Sequence, residues 1–168
     1  MGRGGLIRKR GMVAATAGVT MIGAAALRGL SRRFAVVDDS MRPNFEPDDW
    51  VVAQRRRRDP ERGDVVVFTH PSYPDRFILK RIIGLPGERV SSTDGQICID
   101  GKVLADPWAD GPMCGESDDT VPADTVWVLG DNRCGSSIDS RVLGGIPIDD
   151  VGWRVVARYW PPSRAARL

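Results

Sequence analysis

The chain has 168 residues, 42% of them hydrophobic and 27% charged, with a formal net charge of +2. That length and apolar content suit one domain around a single core, and so small a net charge gives no basis for a nucleic-acid or strongly acidic partner. Three cysteines and one histidine, with no CxxC spacing among them, make no zinc site.

The charge is unevenly placed. Arg3, Arg8, Lys9, Arg10, Arg28, Arg32 and Arg33 all fall within the first 33 residues, where there is no Asp or Glu. Between Arg10 and Arg28 runs an uncharged stretch of mostly small apolar residues, 11–27, ending in Ala24-Ala25-Ala26-Leu27. Its length lies near the lower limit for a spanning helix, roughly 17–25 residues. An uncleaved signal anchor is the preferred reading; a removed signal peptide and a surface-lying helix are the alternatives. Basic residues at both ends leave only a slight preference for a cytoplasmic N-terminus. Residues 1–33 are therefore set apart as an apolar helical anchor segment, and 34–168 as one domain.

Past Arg33, short β-branched runs are cut by Gly, Pro and Asp. Strands are expected over 34–37, 50–54, 64–69, 76–84, 90–92, 97–99, 102–104, 125–129 and 153–160. Asp94-Gly95 and Asp100-Gly101 mark tight turns between neighbouring strands. No helix longer than a turn or two is expected in this part. The pattern predicts a mainly β domain, a folded-over antiparallel barrel or sandwich. The run Arg55-Arg56-Arg57-Arg58, followed by Asp59-Pro60-Glu61, reads as a solvated turn rather than a nucleic-acid patch. Residues 105–123, rich in Asp, Gly and Pro, read as an adaptable surface loop. Cys98 alternates with Ile97 and Ile99 as a core residue, whereas Cys114 and Cys134 lie near turn residues, where an exported domain can join them in a disulfide.

Two residues suggest chemistry. Ser40 lies in Asp38-Asp39-Ser40-Met41-Arg42-Pro43, and Lys80 lies between Phe77-Ile78-Leu79 and Ile82-Ile83. A serine hydroxyl needs a base, and a lysine becomes one when apolar surroundings disfavour its ammonium. Taken singly, Ser40 reads as a turn residue and Lys80 as an exposed edge-strand lysine. They gain weight from company. Ser40-Met41-Arg42-Pro43 is followed in order by Arg62-Gly63-Asp64-Val65-Val66-Val67-Phe68, by Lys80-Arg81-Ile82-Ile83-Gly84-Leu85-Pro86-Gly87-Glu88, and by Gly130-Asp131-Asn132-Arg133 leading to Ser137-Ile138-Asp139-Ser140-Arg141.

These four blocks, behind a basic-flanked apolar segment, resemble the type I signal peptidase family, which includes bacterial leader peptidases and mitochondrial inner-membrane proteases. The resemblance implies a Ser–Lys dyad with Ser40 as nucleophile and Lys80 as general base, and no metal or organic cofactor. It implies that Ser137 orients the lysine amine and that Asp139 and Arg141 form a supporting ion pair. Asp131 and Asn132 would hold the turn presenting Ser137. A purely structural role for Asp139 and Arg141 fits the sequence equally well. The implied activity is a membrane-anchored serine endopeptidase that removes signal peptides from preproteins, cutting after small residues of Ala-x-Ala type. The implied partners are preprotein signal regions and membrane lipid, without nucleic acid. The implied location is single-pass, with the catalytic domain on the outer face, and the bacterial plasma membrane is favoured over the mitochondrial inner membrane. A processing protease dedicated to a few precursors, or an inactive scaffold serving as a tethered binding module, are the alternatives.

The chain departs from the family pattern twice. Asp38 stands two residues before the nucleophile, where a small or hydroxyl residue often helps form the oxyanion hole. A carboxylate there would oppose the developing charge unless it turned outward to a neighbour such as Arg42 or Arg81 or became protonated. The second departure is one extra residue in Cys134-Gly135-Ser136, so Ser136 competes with Ser137 for the orienting role.

Overall fold

The computed structural model describes residues 30–136 and 138–168. The apolar run 11–27 and Ser137 lie outside those residues. Among the described residues, no helix is long and apolar enough to cross a membrane.

Twelve strands build two antiparallel sheets among the described residues. In the larger sheet β1 (Ser31–Ala35), β2 (Trp50–Arg55), β11 (Trp153–Trp160), β3 (Val65–His70), β4 (Tyr73–Gly84), β9 (Thr125–Leu129) and β10 (Ile146–Pro147) follow one another in space. The short β12 (Ala166–Arg167) pairs with β11. The smaller sheet orders β7 (Lys102–Val103), β6 (Gln96–Ile99), β5 (Arg89–Thr93) and β8 (Asp118–Thr120). The expected mainly β architecture is present.

Local chemistry explains most boundaries. The turns Asp94-Gly95 and Asp100-Gly101 carry positive φ at both central residues, the geometry that matches the twist of hairpin strands. The first strand runs over 31–35 instead of 34–37, so the β domain begins ahead of the expected boundary at 34. Its arginines are exposed on an edge strand, where charge is tolerated and discourages further pairing. The Arg32 guanidinium lies over the Phe77 ring at 4.4 Å. Val36 turns into the core and Val37 is 85% exposed. The 105–123 segment contains β8, built of Asp118-Asp119-Thr120 and paired with β5. The Arg55–Arg58 turn is tied down, with Arg56 donating to the Ile148 and Val151 carbonyls and Arg58 pairing with Asp64.

Three apolar clusters fill the interior. One packs Val36, Met41 and Phe45 against Val51, Val65 and Val155; a second centres on Val66, Ile82 and Val128; a third joins Ile83 and Trp127 to the smaller sheet through Val90 and Ile97. Within the larger sheet, β4 leaves a stretch of its edge open. It pairs with β3 from Tyr73 to Arg81, but with β9 only from Arg81 onward. On that second edge no described strand covers Tyr73 to Lys80.

Candidate active site

Ser40 lies in the 3-10 turn Asp39–Met41, just after β1. Its neighbours fasten it to the core: Met41 and Phe45 are buried, and the Phe45 N–H donates to the Met41 carbonyl at 2.9 Å. The apolar residues around Ser40 therefore set the position of a small polar one.

Lys80 enters from β4, where pleating sends Ile78 and Ile82 into the second cluster. Lys80 is only 3% exposed. Its Nζ lies 2.7 Å from Ser40 Oγ and donates to the Leu79 carbonyl at 3.0 Å. Burial pushes the Lys80 ammonium below its usual range. The carboxylates of Asp38, Asp139 and Asp131 oppose that shift, and Arg141 adds to it. The surroundings thus favour a neutral amine against a serine hydroxyl, with nearby charge limiting the effect.

Asp38 turns inward. Its Oδ1 accepts the Ser40 N–H at 3.0 Å and caps the turn. Burial of the carboxyl raises its proton affinity. Hydrogen bonds from the Ser40 hydroxyl and N–H and the charge of Lys80 outweigh that effect, holding it below the ordinary carboxylate range. Neither outward partner is taken up: Arg42 pairs with Asp39 at 3.1 Å and Arg81 with Asp131. An ionised carboxylate therefore occupies the N–H of the residue that bears the hydroxyl.

The fourth block encloses this pair from the β9 side. Asn132 N–H donates to the Ser40 carbonyl at 3.0 Å, its Nδ2 to the Asp39 carbonyl at 3.3 Å, and its Oδ1 accepts the Gly135 N–H at 2.8 Å. Asn132 thus ties its own turn to the Ser40 turn. Asp131 receives the Arg81 guanidinium on both oxygens, at 2.8 and 2.7 Å, and also the Asn44 amide. It thereby fixes the strand residue after Lys80. Asp139 and Arg141 do form an ion pair, at 2.7 Å. Asp139 also accepts the Ser136 hydroxyl at 2.7 Å and the Gly130 N–H at 3.3 Å. Burial tends to raise the Asp139 proton affinity, but bonds from Arg141, Ser136 and Gly130 hold its carboxyl below the usual range. Ser136 is buried and already committed to Asp139.

Three contributors went unrecognised in the sequence. Arg81 and Gly130 lie inside blocks already singled out. Asn44 has no local signal and owes its role to the fold. Gly130 is required for space: a Cβ there would overlap Ser136 and lie 2.5 Å from the Ser40 carbonyl oxygen.

A cleft of about 360 Å³ opens beside this cluster, lined by Val36, Asp38, Ser40, Phe77, Leu79 and Lys80 among others. It runs along the part of β4 that lacks a second partner strand.

Comparison with known proteins places the chain in a family. The family profile described as signal peptidase, peptidase S26, matches residues 9–160. A signal peptidase I of Leptolyngbya laminosa is 34% identical, across 90% of this chain and 82% of its own length. The mouse mitochondrial inner membrane protease subunit 1 is 33% identical, across 74% of this chain and 66% of that protein. The crystal structure of a signal peptidase I from Enterococcus faecalis superposes with a TM-score of 0.50 at 29% identity, covering 57% of this chain and 96% of that one. With its profile match spanning both Ser40 and Lys80 and a solved relative sharing its β fold, this chain belongs to the signal peptidase family, peptidase S26.

Proposed function

We propose that this protein is a serine endopeptidase that removes signal peptides from preproteins, with Ser40 as nucleophile and Lys80 as general base. The observation that carries the reading is the buried Lys80 Nζ, 2.7 Å from Ser40 Oγ and shifted by burial toward its neutral form. The substrate enters as an extended strand along the unpaired edge of β4, its main chain supplying the pairing. Ser40 Oγ attacks the scissile carbonyl carbon while Lys80 Nζ takes the hydroxyl proton. The tetrahedral intermediate collapses as Lys80 returns that proton to the departing amine, leaving an ester on Ser40. Lys80 then deprotonates a water that attacks the ester and regenerates the hydroxyl. Small residues of Ala-x-Ala type fit a shallow apolar cleft beside Val36 and Leu79.

In this reading Ser137 orients the amine, Asp139 and Arg141 brace the loop, and Asp131 and Asn132 hold the lysine strand and the serine turn. Residues 1–33 include the anchor, and the catalytic domain faces the outer side of a bacterial plasma membrane. The Cys114–Cys134 disulfide supports that side, since such bonds persist where thiols are not kept reduced.

The inactive-scaffold reading draws on one observation, the Asp38 carboxylate on the Ser40 N–H. Acylation separates the two. A penem-type serine-reactive reagent should add one equivalent to the intact chain at Ser40 and none to Ser40→Ala. Absence of any adduct on the folded wild type would reject the enzyme.

A further inference from the structure

We propose that the Cys114–Cys134 disulfide positions the reactive serine turn, so that the oxidised chain is the competent enzyme. The inference rests on the function proposed above. Its starting point is the turn that runs from Asn132 to Ser136. Asn132 O accepts the Ser136 N–H at 2.9 Å and Asn132 Oδ1 accepts the Gly135 N–H, closing a turn with Cys134 inside it. Such a turn has backbone freedom to lose, and here a covalent bond at Cys134 restricts it. Cys134 joins Cys114 across 20 residues of chain, with the Cα atoms 4.9 Å apart. Cys114 is itself held in place: Met113 is buried in the cluster with Trp127 and Leu129, and its N–H donates to the Gly95 carbonyl at 2.8 Å.

The two halves of the staple meet on Arg141. One nitrogen of its guanidinium, Nη1, donates to the Cys114 carbonyl at 3.0 Å and to the Arg133 carbonyl at 2.6 Å. The other, Nη2, donates to the Ser136 carbonyl at 2.8 Å and to Asp139 at 2.7 Å. The disulfide thus keeps two carbonyls from distant parts of the chain on one cation. That cation fixes Asp139, and Asp139 fixes Ser136 against Gly130. From the same turn, Asn132 reaches the carbonyls of Asp39 and Ser40. A continuous set of bonds therefore runs from the disulfide to the backbone of the nucleophile. Cys114 and Cys134 are positioning residues; neither touches the reacting atoms.

Both cysteines are exposed, so a soluble thiol can reach the bond. Reduction by a dithiol breaks the S–S bond through a mixed disulfide and yields two protein thiols and the cyclic disulfide of the reductant. The core clusters do not include the bond, so the fold should survive while the turn loosens. Displacements of about 1 Å at a reacting group can cost up to 10²-fold in rate.

The test compares the oxidised full-length chain in detergent with the same chain treated with dithiothreitol. Thiol titration after denaturation should rise from the one free Cys98 to all three cysteines. Cleavage of a fluorogenic Ala-x-Ala peptide should fall at least tenfold in kcat with KM changed less than twofold, and reoxidation should restore it. The acid limb of the kcat profile should move, because, of the groups facing Lys80, Asp139 and Arg141 shift with the turn, while Asp38 and Asp131 stay held by the Ser40 turn and by Arg81. Amide hydrogen exchange over residues 130–141 should quicken while the β4 amides stay protected. Equal kcat in two preparations whose thiol counts prove oxidation and reduction would overturn the proposal. If neither preparation cleaves any peptide, the proposed function fails. Hydrogen exchange still decides the staple, since unchanged protection of 130–141 would overturn it alone. The Cys114→Ser, Cys134→Ser double variant should match the reduced wild type, which needs no substitution to be measured.

Discussion

Asp38→Asn keeps the shape of the side chain and removes its charge, which makes it the sharpest probe of the site. It has two effects, and both have a sign. The first acts on Lys80. The Asp38 carboxylate raises the proton affinity of the Lys80 amine against the stronger effect of burial. A charge pair bridged by one hydroxyl is worth on the order of 3 kcal/mol at an effective dielectric of 20. Asp38 lies exposed at the mouth of the cleft, and solvent screening reduces that to about 1–2 kcal/mol. Removing the charge should lower the Lys80 pKa further. Lys80 accepts a proton only when neutral, so the acid limb of kcat should move to lower pH. The second effect acts on the Ser40 N–H, now held by a carboxylate at 3.0 Å. Charged acceptors bind roughly twice as strongly as neutral ones, so the amide should release this donor to an oxyanion for about 1 kcal/mol less. That is about a fivefold gain in plateau kcat. Asp38→Ser should gain more, because its hydroxyl can cap the turn and also donate. The assay is steady-state cleavage of a fluorogenic Ala-x-Ala peptide from pH 5 to 10, with thermal unfolding to confirm a folded chain. An unmoved acid limb together with an unchanged or lower kcat would refute the reasoning on both counts.

Ser40→Ala should abolish cleavage and leave the melting temperature within a few degrees, because it removes one oxygen from a turn held by Met41 and Phe45; near-normal turnover would reject the nucleophile. Lys80→Arg should be almost as inactive despite its charge, since a guanidinium stays protonated at all working pH values. Wild-type stability should rise with pH from the depressed folded pKa of Lys80 up to its ordinary value of 10.5, because the unfolded chain binds more protons across that window. Lys80→Met should flatten that rise, as measured by chemical denaturation at pH 7 and pH 10. Gly130→Ala should cost at least tenfold in kcat, because its methyl group would displace Ser136 and the Ser40 carbonyl; wild-type kinetics would show that the turn can move aside.

How far the sequence alone reached depends on what kind of signal each element carries. Strands such as β3, Val65–His70, and β9, Thr125–Leu129, are runs of Val with Phe, Trp or Leu, largely buried on both faces, and stand out from composition alone. The two Asp-Gly turns were legible because their backbone geometry demands those residues. β8 was not, since Asp118-Asp119-Thr120 has poor strand propensity and is held by pairing to β5 and by the Arg89–Asp118 ion pair. β1 was displaced because its arginines look like the end of a basic segment until Phe77 and Tyr159 supply rings to cover them. Within the site, the proximity of Ser40 and Lys80 followed from motif order. The partners of Asp131 did not, because Arg81 and Asn44 approach it from 50 and 87 residues away in the chain.

The distribution of charge around Lys80 answers a question that the proposed dyad leaves open. Burying an amine costs stability unless something compensates, and full compensation by carboxylates would keep it protonated and useless as a base. This site divides its carboxylates accordingly. Asp131 is saturated by Arg81 on both oxygens, and Asp139 by Arg141, Ser136 and Gly130. Each negative charge is thus largely spent on another partner before it reaches Lys80. Only Asp38 has no arginine, and its bonds go to Ser40 itself. Asp38 is therefore the residue through which the base strength of Lys80 and the availability of the Ser40 N–H are set together. A substitution there must move both, whereas a change at Asp131 or Asp139 acts first on the shape of the site.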